Sequence, residues 1–554
     1  MLEDCVPWPS PIADRYRELG LWRDETIDQA VARAAERTPD KIALVAQQTR
    51  ITYAELLASS DRLADGLYEA GLRAGDRMVV QLPNQIEFAI LYLATSKLGA
   101  LPVMALPAHR DAEIGFFLEH ANAAAYAIAS NHRNFDYIEM ARRLCRQHPD
   151  LKFVLTSGAR SSDEPGFISI RRMIEERAAP RPPFRANAFD VALFLVSGGT
   201  TGLPKLIPRT HADYLYNARA MNAVCEMDSG SIMLIAIPVS HNFGLAAPGL
   251  MGTLLANATA VMLDSAAADD VLASIECERV TCMPGVPALY LSLMQRQLVA
   301  PRDLSSLKQI IAGGAKFLPA SARQALEIFG CHVQQVLGMA EGFITATRLD
   351  DPESAILATV GTPISPHDEF RLVDESGRDA AVGEAGELLV RGPYTIRGYY
   401  KASAHNLRAF TEDGFYRTGD VLRRDSSGRL EVAGRIKDMI NRAGEKISAE
   451  EVENLVIDHP KISAAALVPM SDAIVGEKGC LFVVCEKGQT IELADVVAHL
   501  ERKRVAKFKF PERLELIDSF PLTAVGKVAK KVLRERIETM VARDRSGQQS
   551  HQSH

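Results

Sequence analysis

Nowhere does this sequence set two cysteines at CxxC spacing, and no cysteine–histidine group has zinc-finger intervals. Its eight cysteines, at positions 5, 145, 225, 277, 282, 331, 480 and 485, are scattered. That predicts reduced thiols in a cytoplasmic protein rather than a disulfide frame. No apolar run reaches the roughly 18 residues needed to span a bilayer. The stretch MLEDCVPWPSPIADRY lacks the basic head and apolar segment of a secretory signal, so neither export nor membrane attachment is expected. A basic excess is missing too. Lys and Arg number 63 against 70 Asp and Glu, for a net charge of −7, which argues against a general nucleic-acid binder. Internal repeats are absent. What is present is 554 residues, 47% hydrophobic and 24% charged, an ordinary globular composition with length for more than one core.

Along the first 190 residues strand and helix signals alternate. ITYAELLASSDRLADGLYEAG (51–71) starts as a short strand and becomes an amphipathic helix, with Leu56, Leu57, Leu63, Leu67 and Ala70 near a 3.6-residue period. DRMVVQLPN (76–84) is a strand ending in a turn. IEFAILYLATSKLGALPVMAL (86–106) is a buried helix, a glycine stop and another strand. The alternation recurs at GSIMLIAIPVSHN, ATAVMLDS, VTCMPGVPALYLSLM and LKQIIAGGAKF. Such repetition predicts an α/β fold of mostly parallel, helix-covered sheets, with ligands past the carboxyl ends of strands. From about Gly361 the texture turns to short strands and glycine turns, a β-rich part reaching about residue 434. Beyond it, SAEEVENLVIDHP reads as a helix capped by Ser448, with Glu451 completing a capping box. ISAAALVPM and GCLFVVCEKG read as strands and ELADVVAHLERKRVA as a helix. The expected organisation is a large N-terminal domain over 1–434, a small α+β C-terminal domain over 438–540, and a polar, disordered tail over 541–554.

One stretch, LVSGGTTGLPKLIPRTH (195–211), concentrates glycine, hydroxyl and a lysine. Gly198, Gly199 and Gly202 let backbone N–H groups converge, Ser197, Thr200 and Thr201 add hydroxyls, and Lys205 adds a positive charge. Taken alone, this is either an anion cradle suited to phosphate or a flexible turn. It is not the GxxxxGK[ST] loop, because Leu203 and Pro204 separate Gly202 from the lysine.

Other motifs follow in a fixed order: TYAEL (52–56), ALPAHR (105–110), PVSHN (238–242), GGAK (313–316), QQVLGMAEG (334–342), DGFYRTGD (413–420), GRIKDMINRAGEKIS (434–448) and PLTAVGKVAKK (521–531). In this order, from about residue 25 to 535, the chain resembles the adenylate-forming superfamily: acyl-CoA synthetases, adenylation domains of nonribosomal peptide synthetases, and luciferases. KLIPRTH, HNF, TRLDDP, RGPYTIRGYY and INRAGEKISAEEVEN bring it closest to the stand-alone aryl-acid AMP ligases of siderophore pathways.

The resemblance implies ATP and Mg²⁺ as cofactors and two half-reactions. A carboxylate attacks the α-phosphorus of ATP to give an acyl adenylate and pyrophosphate, and a thiol then displaces AMP. It implies that the loop Ser197, Gly198, Gly199, Thr200, Thr201, Gly202 and Lys205 orients the β- and γ-phosphates, and that Glu341 is the magnesium-associated carboxylate. Gly313, Gly314 and Ala315 would line the adenine and aryl region, with Gly338, Met339 and Ala340 also beside ATP. Asp420 and Arg435 would hold the ribose. Lys527, on the small domain, would bridge the substrate carboxylate and the α-phosphate. Lys437 would be the hinge, within 435–437, about which that domain turns. Lys446 would contact ligand or close its turn, while Lys530 and Lys531 would be solvated or face a partner.

For the substrate, the resemblance implies that Asn242 donates to the aryl carboxylate and its ortho hydroxyl. Phe243, Val336, Ile344 and Ala247 would bound the ring slot, and His241, counted with Lys527 and Glu341 among the catalytic residues, would close over the ATP side or simply pack. The subfamily pattern has Ser or Cys at position 247, often a bulkier residue at 244 and often Tyr at 346. Here Gly244, Ala247 and Ala346 stand there. The acid is then 2,3-dihydroxybenzoate, salicylate or a larger or heterocyclic ortho-substituted relative. The acceptor implied is the phosphopantetheine arm of a separate aryl carrier protein, since the tail after Lys531 is too short for a fused carrier domain. An aryl-CoA ligase using free CoA, or a nucleotide-binding protein without catalysis, are the alternatives.

Overall fold

The structure is a computed structural model. It describes every residue except 1, 159–164, 177–185, 198–203, 316, 375, 443–444, 473–475, 504–506, 524–525 and 552–554, and the side chains of 437, 441, 445–446, 508 and 544–551. The chain forms two compact units. The first holds Met1–Gly199, Leu203–Glu369 and Val390–Tyr416; the second holds Phe370–Leu389 and Arg417–His554.

The first unit is built on two sheets. In the larger, nine strands lie in the order Thr362–Pro363, Ile344–Ala346, His332–Gly338, Gln309–Gly313, Cys282–Gly285, Ile232–Ile235, Thr259–Met262, Ile42–Ala46 and Thr49–Thr52. The six from His332–Gly338 to Ile42–Ala46 run parallel, and the outer strands are antiparallel. The second sheet orders Leu206–Thr210, Val191–Val196, Leu101–Met104, Arg77–Gln81, Ala123–Ala129, Phe153–Ser157 and Phe167–Ser169, with only Leu206–Thr210 antiparallel to its neighbour. Helices cover the larger sheet where its face is apolar: Leu234, Met283, Ile310 and Val333 share one buried cluster with Val271, Leu293 and Phe329.

Local rules set the boundaries. Helix Tyr53–Glu69 starts where Thr52 Oγ1 accepts the Glu55 N–H at 3.1 Å and the Glu55 carboxylate accepts the Thr52 N–H at 2.8 Å. Helix Ile86–Leu98 stops at Gly99, whose φ of 71° is the left-handed value glycine adopts freely. Among the described residues no helix is long and apolar enough to cross a membrane.

The second unit contains most of a four-stranded sheet (Glu369–Val373, Ala385–Arg391, Tyr416–Arg424, Leu430–Arg435), its last two strands antiparallel, and a five-stranded sheet centred on the long hairpin Ile462–Asp472 and Gly476–Cys485. That hairpin alternates with period two. Leu467, Leu481 and Val483 pack with helices Ala449–Val456 and Leu493–Arg502, while Ala466, Val468 and Phe482 pack with Leu533 and Ile537. Only half of the expected capping box forms at Ser448: its Oγ accepts the Glu451 N–H at 3.2 Å, but the Glu451 carboxylate meets Lys509 Nζ at 2.6 Å. The last helix is Lys530–His551, which runs into the segment expected from composition to be disordered.

Candidate active site

The strands on either side of the glycine loop are paired, and its flanking residues are described. Strands Val191–Val196 and Leu206–Thr210 pair antiparallel, and the loop is pinched at its base by reciprocal bonds. Ser197 N–H donates to the Lys205 carbonyl at 2.9 Å, and Lys205 N–H donates to Ser197 Oγ at 2.9 Å. Gly198, Gly199, Thr200, Thr201 and Gly202 lie outside the described residues. Lys205 Nζ stands 5.8 Å from the centre of the Tyr399 ring.

That tyrosine leads to Glu341. Tyr399 Oη donates to Glu341 Oε1 at 2.7 Å, and the side chain of Glu341 is buried. Burial first, then the Glu341 carboxylate beside it, hold the Tyr399 phenol well above its usual range, so it remains a donor. Glu341 is carried by a turn at the carboxyl end of strand His332–Gly338, with Gly338, Met339 and Ala340 leading into it. Gly342 N–H closes the turn on the Met339 carbonyl at 3.1 Å. Only glycine fits at 342: φ is 110°, and a Cβ there would stand 2.1 Å from the Tyr394 carbonyl oxygen.

A buried arginine fastens this turn from below. Arg209, fully buried, donates to the carbonyls of Ala340 at 3.0 Å and Tyr394 at 3.1 Å. Its charge is met by Asp213 at 2.8 Å, itself the capping partner of Thr210 at the start of helix His211–Val224. A buried charge needs such a partner to be tolerated.

The expected ring-slot residues come together. Ala247, Val336, Ile344 and Ala346 belong to one buried apolar cluster with Met221, Cys225, Ile311 and Tyr394, and Phe243 packs against it. Register explains this: Val336 pairs with Ala346, Gly338 with Ile344 and Gly313 with Val336 across neighbouring strands. Gly313 is where the Phe243 ring approaches, 3.1 Å from where a Cβ would stand, while Gly314 and Ala315 are exposed beyond the strand end. Gly244 is small for another reason than pocket space. A Cβ there would lie 2.5 Å from the Pro238 carbonyl oxygen, so the missing side chain serves backbone packing. His241 caps the short helix Asn242–Leu245, its Nδ1 accepting the Phe243 N–H at 3.3 Å.

Asn242 is buried, and its Oδ1 accepts from Tyr214 Oη at 2.9 Å. Burial holds the Tyr214 phenol well above its ordinary range, and the Arg209 guanidinium sits 4.8 Å from its ring centre. Behind the slot, Tyr394 Oη accepts the Ile344 N–H at 3.1 Å and donates to Asp368 Oδ2 at 2.6 Å.

The remaining expected site residues lie in the second unit. Asp420 and Arg435 are cross-strand partners, Arg435 Nε donating to Asp420 Oδ1 at 2.6 Å. Gly434, just before Arg435, has φ of 145°, and a Cβ there would stand 2.8 Å from Ser448 Oγ. Lys437 lies in the one-turn helix Ile436–Asp438, and Lys446 in strand Glu445–Ser448, both with side chains outside the described set. Lys527 is exposed at the end of a tight turn, its N–H donating to Thr523 Oγ1 at 3.1 Å and its carbonyl accepting from Thr523 N–H at 2.7 Å. Lys530 corrects the expectation of a solvated or partner-facing residue. It pairs with Glu453 at 2.7 Å, both largely buried. Burial pushes the Glu453 carboxyl up to about 7 against the pull of Lys530.

Four residues were missed by sequence reasoning: Arg209, Asp213, Tyr214 and Tyr399. The Thr210–Asp213 spacing was a readable cap signal. No local signal marks Arg209 as buried, since its carbonyl partners lie far along the chain.

Among the described residues no group of three or more His, Cys, Asp or Glu could hold a metal by itself. One buried, tyrosine-held carboxylate at Glu341 fits Mg²⁺, which takes oxygen ligands and fills most of its shell with phosphate and water.

Comparison with known proteins fits this geometry. Residues 31–400 match the AMP-binding enzyme family and residues 451–527 the AMP-binding enzyme C-terminal domain. The chain is 45% identical over 537 residues to the 2,3-dihydroxybenzoate-AMP ligase of Bacillus subtilis (strain 168), covering 97% of this chain and 98% of that one. It is 41% identical over 534 residues to the salicyl-AMP ligase / salicyl-S-ArCP synthetase of Mycobacterium tuberculosis, covering 95% and 94%. Its fold matches the apo structure of Mycobacterium smegmatis MbtA with a TM-score of 0.74 at 42% identity, over 96% and 98% of the two chains.

Proposed function

Since the chain belongs to the AMP-binding enzyme family, an ATP-dependent, adenylate-forming group, we propose that it is an aryl-acid AMP ligase. It activates an ortho-substituted aryl acid such as salicylate or 2,3-dihydroxybenzoate, then passes the acyl group to the phosphopantetheine thiol of a separate carrier protein in siderophore assembly. The observation that carries this reading is the buried cluster of Ala247, Val336 and Ile344, with Phe243 packed against it, beside the strand that leads into the turn bearing Glu341. Relatives support it: one is named for 2,3-dihydroxybenzoate, another for salicylate and a carrier-bound product. A cytoplasmic location accords with eight unpaired cysteines.

Each residue then has a task. Ser197, Lys205 and the loop between them hold the β- and γ-phosphates. Glu341 would hold Mg²⁺, whose positive charge would offset the negative charge of the phosphates. Asp420, with one oxygen steadied by Arg435, accepts from the ribose hydroxyls. Gly338, Met339, Ala340 and the Gly313–Ala315 edge flank the nucleotide. Asn242 donates to the aryl acid while Phe243 and Val336 flatten it. Lys527 bridges carboxylate and α-phosphate, offsetting their repulsion as the carboxylate oxygen bonds to phosphorus and pyrophosphate leaves. His241 closes the ATP side, and Lys437 is the hinge.

ATP–pyrophosphate exchange over salicylate, 2,3-dihydroxybenzoate, benzoate, anthranilate and a bicyclic hydroxy acid tests the reading. Exchange with ortho-hydroxy acids and little with benzoate is expected; none with any aryl acid refutes it. Lys527→Ala is expected to lower exchange by about 10²–10³-fold, and a near-normal rate removes Lys527 from that role.

A further inference from the structure

Asn242 is the residue the proposed function sets against the substrate, and a role for its neighbour Tyr214 rests on that reading. A primary amide offers a donor at one end and an acceptor at the other, and the end that faces the ligand decides which ortho group fits. Here one end is already committed. Tyr214 Oη lies 2.9 Å from Asn242 Oδ1, and among the described residues neither side chain has another hydrogen-bond partner. Tyr214 is fully buried, so its proton has no water to turn to. The Arg209 guanidinium stands 4.8 Å from the ring centre, anchored by Asp213 at 2.8 Å and by the carbonyls of Ala340 and Tyr394. A cation against the ring draws electron density from the phenol. That strengthens its O–H as a donor and weakens its oxygen as an acceptor. Turning the amide over would set N–H against that hydroxyl and leave the buried tyrosine proton unmet.

We propose that Tyr214, polarised by the buried Arg209–Asp213 pair, is a positioning residue for specificity: it holds the Asn242 amide with Oδ1 occupied and the Nδ2 hydrogens facing the substrate. The site therefore takes aryl acids whose ortho group accepts a hydrogen bond and disfavours those whose ortho group only donates. Salicylate keeps a lone pair on its ortho oxygen even while that hydroxyl bonds the neighbouring carboxylate. Anthranilate delocalises its nitrogen lone pair into the ring and presents N–H, so donor meets donor. The same pair also fastens the Glu341 turn, so the group orienting the amide is built into the floor of the nucleotide side.

Tyr214→Phe in the full-length protein is the test, because it removes only the hydroxyl and keeps the ring under Arg209. ATP–pyrophosphate exchange is measured with salicylate and with anthranilate, together with KM for ATP. The expected result is a fall of about tenfold in the salicylate-to-anthranilate ratio of kcat/KM, carried by KM for the aryl acid, with KM for ATP unmoved. A ratio within about twofold of the wild type overturns the proposal, as does an equal loss for both acids and ATP, the pattern of a merely structural defect. Asn242→Ala separates the two layers. If it collapses the ratio while Tyr214→Phe does not, the lock is wrong and the role of Asn242 stands. If it leaves the ratio intact, Asn242 does not read the ortho group and both fall. The double variant is expected to be no worse than Asn242→Ala alone, as required of a residue that acts through another.

Discussion

Asp368 holds a half-buried carboxyl with one oxygen shut away from water. Burial pushes its pKa up to about 8, although Tyr394 Oη donates to it, and its Oδ1 is buried without a partner among the described residues. The native state therefore keeps a proton that the unfolded chain gives up near the ordinary carboxylate value of about 4. Between those two values the native state binds more protons, so stability falls as pH rises, by at most about 1.4 kcal/mol per pH unit, and levels off above about 8. Asp368→Asn is expected to remove that part of the slope, read from urea midpoints between about pH 5 and about pH 8. An unchanged slope in the variant places the ionised form in the native state. Tyr394 connects this carboxyl to the Ile344 main chain, so under the proposed function the same titration bears on one wall of the aryl slot.

Among the elements, the turn that carries Glu341 is the most tightly specified. Its backbone is held by Arg209 on the Ala340 carbonyl, by the Gly342–Met339 bond and by the close approach of Gly342 to Tyr394. Gly342→Ala forces the turn off the Tyr394 carbonyl. A displacement of about 1 Å at a reacting site costs on the order of a hundredfold in rate, so exchange activity is expected to drop by about that factor while cooperative unfolding persists. Gly330→Ala is the contrasting control. It is left-handed too, with φ of 63°, but a Cβ there meets nothing within 4 Å, so only stability is expected to change, by about 1 kcal/mol. These two glycines also show what a sequence discloses. Gly330 and Gly99 end helices and are readable from local rules; Gly342 is demanded by a carbonyl over fifty positions away. Ser448 makes the same point in reverse, since its partner Glu451 is drawn off by Lys509.

At the scale of the molecule, alternating strand and helix signals made the parallel, helix-covered sheets legible, because period and glycine stops are local. The motif order made the family legible, and with it the residues expected to bound a ring slot, several of which strand register brings into one cluster. Illegible were the buried polar supports Arg209, Tyr214 and Tyr399, because a charge or hydroxyl is tolerated in a core only through partners that folding supplies; Asp213 carried a local cap signal from Thr210 but none of its pairing with Arg209. The crowding at Gly244 was illegible for a related reason: the backbone that meets it is supplied by the folded turn at Pro238. The second unit offers a test of domain independence. Its C-terminal hairpin has apolar residues on both faces, covered by helices drawn entirely from residues beyond 448. A fragment of residues 436–551, of ordinary domain size, is expected to unfold cooperatively in urea on its own. A gradual, non-cooperative loss of helical circular dichroism contradicts that.

The contact between Phe243 and Gly313 gives the protein a way to change diet. A methyl group on residue 313 would stand 3.1 Å from the Phe243 ring, which would have to give by a few tenths of an ångström to admit it. Under the proposed function, a residue larger than glycine at 313 tilts the ring and reshapes the slot without any new side chain touching the acid, and a smaller residue at 243 opens depth over a glycine floor. Substrate range in this lineage is thus adjustable by one-step changes at a supporting position, while the amide that reads the ortho group and the turn that bears Glu341 stay as they are.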